Sequence, residues 1–407
     1  MTIEIISIGN ELLAGHTMNT NASKIAQALL PHGFSVDRIT TLPDQLPSLK
    51  EGIQEAMERA SFLIITGGLG PTGDDLTRGV MAELYQTTLE HSEKIAADLI
   101  RRFGKELPTL SDQAMVLKGA TIIPNPLGTA PGFILEGKSV AIVLPGVPSQ
   151  MEVMLNEVVK YLEKKTSKNH YVETLYLALL SEQEVDPYLR KLEQENPGID
   201  IGICPGYGTL SIYFHGRKKK KLIPVRNQIA KHFHTHVYST TDKRIEVALH
   251  EWMVKHQKTL AAGESCSGGH LAATLTALPG ASDYFLGSIV SYSNHLKKTA
   301  LNVSPKTLET KGAVSKETVI EMGEGVKKLT GADYIITLSG IAGPTGGTSD
   351  KPVGTIWSTI QTPEKTYVGL IPLKPSAKKR SILIRYSVTY LLASLYRYLT
   401  YNIEPYT

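Results

Sequence analysis

Hydrophobic and polar positions along the first 165 residues switch repeatedly between two periods. IEIISI (3–8) reads as a buried strand, and NASKIAQALLPHG (21–33) as a helix closed by glycine. SVDRITTL (35–42) is strand-like, LPSLKEGIQEAMERA (46–60) an amphipathic helix, and SFLIITGG (61–68) another buried strand. Helical spacing follows around 75–86 and 90–104, then the strands FILEG (133–137) and SVAIVLP (139–145), then a long helix from VPSQMEVM onward. Strands alternating with helices predict a parallel sheet covered on both faces.

The pattern changes at about residue 170. A strand (YVETLYLALL), a helix (EQEVDPYLRKLEQE), a hairpin (GIDIGIC and TLSIYFHG), a second helix and a last short strand give the order βαββαβ, a split-βαβ arrangement. It is similar to a KH-like module, but it lacks the G-x-x-G loop that clamps single-stranded RNA. From about 243 a third α/β unit begins. Its strands are FLGSIVSYS (285–293), YIITLSG (334–340) and GTIWSTIQ (354–361), with helices at 315–331 and near 376–399. The expected domains are therefore 1–167, 168–241 and 242–407.

Length and composition fit this division. At 407 residues, 42% hydrophobic and 20% charged, the chain exceeds one ordinary core and is far from disordered composition. No apolar run approaches the roughly 20 residues a membrane helix needs, and MTIEIISIGNELL has no signal-peptide pattern. Two cysteines, Cys204 and Cys266, cannot build a disulfide framework or a thiolate zinc cluster; they fit a reducing cytoplasm. The net charge of +4 gathers partly in the run Arg217–Lys221. With few aromatics nearby, that run reads as a solvated turn, and nucleic-acid binding ranks last among the functions considered.

Two clusters of motifs carry candidate chemistry. The first is ITGGLGPTGDDLT (65–77), a strand running into glycines and a helix start, where backbone N–H groups can face a phosphate. Thr66, Thr72 and Thr77 add hydroxyls. Asp74 and Asp75 would repel a bare phosphate, so they make most sense with a cation such as Mg²⁺ between carboxylate and phosphate; the simpler alternative is a helix N-cap. Glu11, Asn19 and Asn21 in SIGNELLAGHTMNTN, and Pro145 and Gly146 in LPGVPS, follow strand ends, where open α/β sheets place ligands.

The second cluster centres on GESCSGG (263–269), which offers Ser265, Cys266 and Ser267 as nucleophiles. A serine needs a base, and a cysteine enzyme usually a histidine partner. His270 and His295 read as surface residues. Lysine can serve as base when desolvation lowers its pKa, and Lys297 follows Tyr292 by five residues at a strand-to-helix junction. SGIAGPTGG (339–347) supplies a further glycine-rich turn.

SIGNELL, TGGLGPTGDDLT, NPLGTAPGF and LPGVPS resemble the molybdopterin-binding (MoCF) fold found at the N-terminus of CinA-family proteins. AGESCSGG, SYSNHLKK, GAVSKET, SGIAGPTGG and KPVGT resemble the CinA C-terminal domain. The resemblance spans nearly the whole chain. It implies a MoCF-like three-layer α/β/α domain, a small KH-like middle domain, and a C-terminal α/β amidohydrolase domain. For the last it implies a nicotinamide mononucleotide (NMN) deamidase of Ser–Lys type that needs no cofactor, with Ser265 as nucleophile, Lys297 as base and Tyr292 assisting proton transfer. Ser339 and Arg380 would lie beside the substrate, and Gly268, Gly269, Gly343 and Gly346 would offer N–H contacts to it.

For the first domain the resemblance implies hydrolysis of the ADP-ribose pyrophosphate with a divalent metal held by Glu11, Asp74 and Asp75, with Asp75 also catalytic. Asn19, Thr66, Gly67, Gly68, Gly70, Thr72, Pro145 and Gly146 would bind the substrate. The alternative is a non-catalytic pterin- or nucleotide-binding module in a competence- or damage-related protein. A cytoplasmic homodimer acting on small nucleotides, away from membranes, is the overall expectation. Three segments depart from the family pattern: Gln150 stands where glutamate is frequent, Ser267 where threonine is common, and KKR (378–380) where G-D-R is often found, with Arg380 keeping the arginine.

Overall fold

The computed structural model describes residues 1–73, 75–103, 109–166, 170–373 and 379–407. They form two compact units, Met1–Val172 and Glu173–Thr407.

In the first unit, β1 (Ile3–Ile8), β2 (Arg38–Leu42) and β3 (Phe62–Thr66) begin the sheet. A small antiparallel pair follows, β4 (Leu89–His91) with β5 (Met115–Leu117). The main sheet is completed by β6 (Thr121–Ile123), β7 (Gly132–Leu135) and β8 (Val140–Leu144), in the order β2-β1-β3-β8-β7-β6. Alternation along each strand divides the core between the two faces. Ile3, Ile5, Ile64 and Ile142 pack under the helices Thr20–Leu29 and Pro148–Lys165. Ile6, Ile8, Ile65 and Val143 pack on the other side, toward Leu46–Arg59 and Thr77–Leu84. This is the three-layer α/β/α arrangement. The sheet is not wholly parallel, however: β6 and β7 run antiparallel to their neighbours. The links into and out of β7, residues 124–131 and 136–139, are shorter than the crossover of a dozen or more residues that a parallel return needs. The helix expected from residue 90 starts only at Glu93, because Leu89–His91 pair as a strand.

The second unit holds two sheets. β9 (Tyr171–Ala178), β10 (Ile199–Pro205), β11 (Thr209–Gly216) and β12 (Val237–Ser239) form the first, ordered β10-β11-β9-β12. β13 (Leu260–Glu264), β14 (Phe285–Val290), β15 (Tyr334–Gly340), β16 (Ile356–Gln361) and β17 (Thr366–Leu370) form the second, ordered β14-β13-β15-β16-β17. In the second sheet β13 lies between β14 and β15 and is parallel to both. The last helix, Arg380–Tyr401, joins the two sheets into one core with Tyr238, Leu249, Leu338 and Leu391. Its Arg397 Nε and Tyr401 hydroxyl donate to Thr235 O (2.9 Å) and Val237 O (2.7 Å). Among the described residues no helix is long and apolar enough to cross a membrane.

Candidate active site

β13 ends at Glu264, and the chain turns at once through Ser265–Gly269 into the helix His270–Thr276. Gly268 and Gly269 take left-handed backbone angles, φ +60° and +96°, which favour glycine. The Ser265 N–H donates to Leu338 O at 3.1 Å, pinning that residue to β15. Parallel strands thus deliver a hydroxyl to their carboxyl edge, where such sheets bind ligands.

Lys297 reaches the hydroxyl from the helix Asn294–Leu301, whose N-cap Ser293 accepts from Leu296 N. Only 1% of Lys297 is exposed, and 7% of Ser265. The lysine Nζ donates to Ser265 Oγ (2.8 Å), Ser291 O (2.7 Å) and Tyr292 O (3.4 Å). It makes no ion pair among the described residues, and desolvation lowers its pKa to about 8. When Lys297 is neutral, the two carbonyls can hold its two protons while the lone pair faces Ser265. That is the geometry of a general base on a serine. The adjacent Cys266 thiol is buried, and desolvation pushes its pKa up to about 12, so it stays protonated.

A cavity of about 170 Å³ opens over the pair, walled by Tyr292, Ala313, Val314, Ser339 and Arg380. A ~150 Å³ cavity admits benzene, so this one accommodates a ring-sized group. Ser339 Oγ donates to Ala313 O at 2.8 Å, leaving lone pairs for a ligand. Tyr292, 61% exposed, accepts a hydrogen bond from Arg380 Nη2 at 3.3 Å, and Arg380 Nη1 donates to Gly343 O at 3.1 Å. Five sequence-selected residues from distant segments (Ser265, Tyr292, Lys297, Ser339 and Arg380) therefore meet in one place.

The glycines behave differently. Gly268, Gly269, Gly343 and Gly346 do not line the cavity. The Gly268 N–H donates to Ser265 O, and the Gly269 N–H goes to the carboxylate of Glu264. Glu264 is the residue that sequence reasoning passed over. Fully buried, its carboxylate accepts from Ser267 Oγ (2.7 Å), Gly269 N (3.1 Å), Leu271 N (3.0 Å), Ala272 N (3.0 Å) and Ser288 Oγ (2.9 Å). It neutralises the N-terminus of the helix and ties the turn to β14. A carboxylate at a strand end, just before a helix start, was the available signal. The N–H groups of Cys266 and Ser267 donate to no backbone carbonyl among the described residues. They remain the donors nearest in sequence to Ser265.

In the first unit a larger cleft, about 600 Å³, lies at the carboxyl ends of β1, β3 and β8. Glu11, Asn19, Thr66, Gly67, Gly68, Gly70, Asp75, Pro145 and Gly146 line it, as does Gln150; Thr72 does not. Close approach dictates the glycines: a Cβ on Gly67 would lie 2.4 Å from Ile8 O, and one on Gly68 2.2 Å from Thr77 Oγ1. Thr66 Oγ1 donates to Pro145 O (2.8 Å) and accepts from Asn21 Nδ2 (3.0 Å), while Asn19 Oδ1 caps the following helix at Ala22 N (3.2 Å). These side chains brace the cleft as well as lining it. Gln150 Oε1 accepts from Asn125 Nδ2 at 2.9 Å, a bond a carboxylate could also make.

Of the three expected metal ligands, two lie among the described residues. The Asp75 carboxylate accepts from Gly70 N (2.7 Å), Thr72 N (2.9 Å) and the Thr72 hydroxyl, so it holds its own loop. Glu11 is exposed and folds over Gly9. Asp74 lies outside the described residues. Among those described, no group of three or more His, Cys, Asp or Glu is placed to hold a metal.

Comparison with known proteins agrees with this layout. A family model for the CinA C-terminal domain matches residues 242–399, and one for a probable molybdopterin binding domain matches 4–164. A competence-damage inducible protein of Caldanaerobacter subterraneus is 39% identical, over 90% of this chain and 91% of its own. A CinA-like protein of Thermotoga maritima is 37% identical, over 88% and 89%. The crystal structure of a CinA protein from Thermoplasma acidophilum, 35% identical, covers 40% of this chain and 96% of its own with a TM-score of 0.36. Likeness at this identity, sustained over nine-tenths of both chains and coinciding with both matched domains, places this chain in the CinA family.

Proposed function

We propose that the C-terminal site hydrolyses the carboxamide of NMN to nicotinic acid mononucleotide and ammonia. The observation that carries the reading is the buried Lys297 amine 2.8 Å from Ser265 Oγ, with no ion pair among the described residues. Ser265 Oγ attacks the amide carbon as Lys297 takes the hydroxyl proton, and the N–H groups of Cys266 and Ser267 are the candidate donors to the developing oxyanion. Collapse of the tetrahedral intermediate breaks the C–N bond. The leaving nitrogen takes the proton back from Lys297, with Tyr292 relaying, and departs as ammonia. Water then attacks the seryl ester, Lys297 again accepting a proton, to release the acid and restore the serine. The ring sits in the 170 Å³ cavity, and Arg380 at its mouth meets the phosphate.

For the first unit we propose ADP-ribose as ligand, taken up as its complex with a divalent cation. Mg²⁺ is commonly held by one or two carboxylates plus substrate phosphates, which the lining Glu11 and Asp75 can match without a protein-only cage. Hydrolysis of the pyrophosphate is the activity expected there. The competing reading is binding without turnover. It draws on the hydrogen bonds that already occupy Asp75.

The test is to incubate the purified chain with NMN and measure ammonia together with the acid product. Equal release of both is expected; no release from the wild-type chain would sink the assignment. Formation of AMP from ADP-ribose with added divalent cation would separate turnover from binding in the first unit.

A further inference from the structure

A third cavity, of about 440 Å³, lies within the second unit, where the last helix passes the four-stranded sheet. Neither proposed activity uses it. Its walls include Tyr386, Tyr390 and Arg397 from that helix, Leu179 and His236 from the sheet segment, and Tyr406. Pockets that take small ligands span roughly 300–1,000 Å³ and combine apolar or aromatic walls with a few convergent polar groups.

Arg397 is the group that calls for a ligand. Its Nε donates to Thr235 O at 2.9 Å, but its two terminal nitrogens meet no acceptor and it makes no ion pair among the described residues. Two acids, Glu184 and Glu404, also line the cavity and have partners of their own. Glu184 accepts from Ser181 N and Oγ at 2.7 and 2.6 Å, and Glu404 pairs with Lys365 at 3.0 Å. A half-buried guanidinium without a counter-charge is costly, and its planar fork matches a carboxylate or phosphate bidentately. Beside it the tyrosine rings make a continuous aromatic wall: Tyr386 and Tyr390 lie 6.2 Å apart at 23°, and Tyr390 and Tyr406 6.1 Å apart at 36°. His236 Nδ1 is held by Ala178 O at 2.9 Å, which leaves Nε2 available.

We infer that this cavity is a binding site for a small anion carrying a planar ring, its carboxylate or phosphate on Arg397 and its ring against Tyr386 and Tyr390. The two anionic sources are separable. Full-length protein is titrated calorimetrically with nicotinate (ring and carboxylate), AMP (ring and phosphate) and inorganic phosphate. Hydrogen exchange is then mapped on the wild-type protein with and without the binding probe. Expected are saturable binding of nicotinate or AMP, tighter than inorganic phosphate, protection over 234–238 and 384–398, and at least tenfold weaker binding in Arg397→Gln. The exchange map decides the matter even if that variant folds poorly. No saturable binding at millimolar concentration would overturn the proposal. So would protection confined to 265–297 or to the first unit, or inorganic phosphate binding as tightly as the ring-bearing probes.

Discussion

Lys297 is buried while Lys298, its neighbour on the same helix, is exposed. Nothing in the pair KK itself distinguishes them; Leu301, one turn on and also buried, marks the inward face. Sequence spacing brought Tyr292 and Lys297 to one junction, but only the fold shows the two carbonyls and the hydroxyl that surround the amine. A base with its pKa near 8 is about one-tenth neutral at pH 7. The rate of NMN deamidation, followed as kcat/KM, is therefore expected to rise about tenfold per pH unit below 8 and to level off above it. A rate flat between pH 6 and 8 would remove Lys297 from that role.

Stability carries the opposite face of the same burial. The folded pKa lies below the unfolded value of about 10.4, so the unfolded chain binds the extra proton between pH 8 and 10. The cost of burying the charge, on the order of 3 kcal/mol, is thus fully present below pH 8 and relieved as pH rises. Relative to Lys297→Met, the wild-type chain should gain stability between pH 8 and 10, as measured by denaturant unfolding. A difference independent of pH would mean that the amine is not desolvated.

At the scale of elements, the strand–turn–helix from β13 to His270–Thr276 was legible from its apolar run, its glycines and its helical spacing. The use made of the helix N-terminus was not. The glycines suggested N–H groups free for a ligand, yet Glu264 takes those of Gly269, Leu271 and Ala272. A single sequence does not say whether a helix start meets a ligand or a neighbouring carboxylate, because both satisfy the same donors. The antiparallel direction of β7 was missed similarly: apolar runs do not carry strand direction, and only the short flanking turns betray it. Glu264 acts as a positioning residue, so Glu264→Gln, which replaces one acceptor oxygen by a donor, should lower kcat more than tenfold with little change in KM. Unfolding free energy should fall by about 1–3 kcal/mol. Steady-state kinetics beside denaturant titration would show this, and unchanged kcat with lowered stability would make the residue purely structural.

Across the whole molecule, the two units present different chemistry in their cavities. The second offers a buried amine and hydroxyl with no carboxylate lining the cavity among the described residues, whereas Glu11, Asp44 and Asp75 line the cleft of the first. Removal of divalent cations should therefore leave ammonia release from NMN unchanged while stopping AMP release from ADP-ribose. Loss of both activities in chelator would tie the proposed deamidation to a metal. The family and the α/β architecture were readable across nearly the whole chain, because five motifs of the last domain occur in order. The carboxylate geometry of the first unit was not, since a D-D pair reads alike as metal ligands or as loop braces, and Asp75 is tied to Gly70 and Thr72. The central claim is that Ser265, not the neighbouring thiol, attacks the amide. Its most direct test is ammonia release from NMN by Ser265→Ala and Cys266→Ala side by side: at least about a thousandfold loss in the first, and activity within a few-fold of wild type in the second, are predicted. An active Ser265→Ala with a dead Cys266→Ala would contradict it.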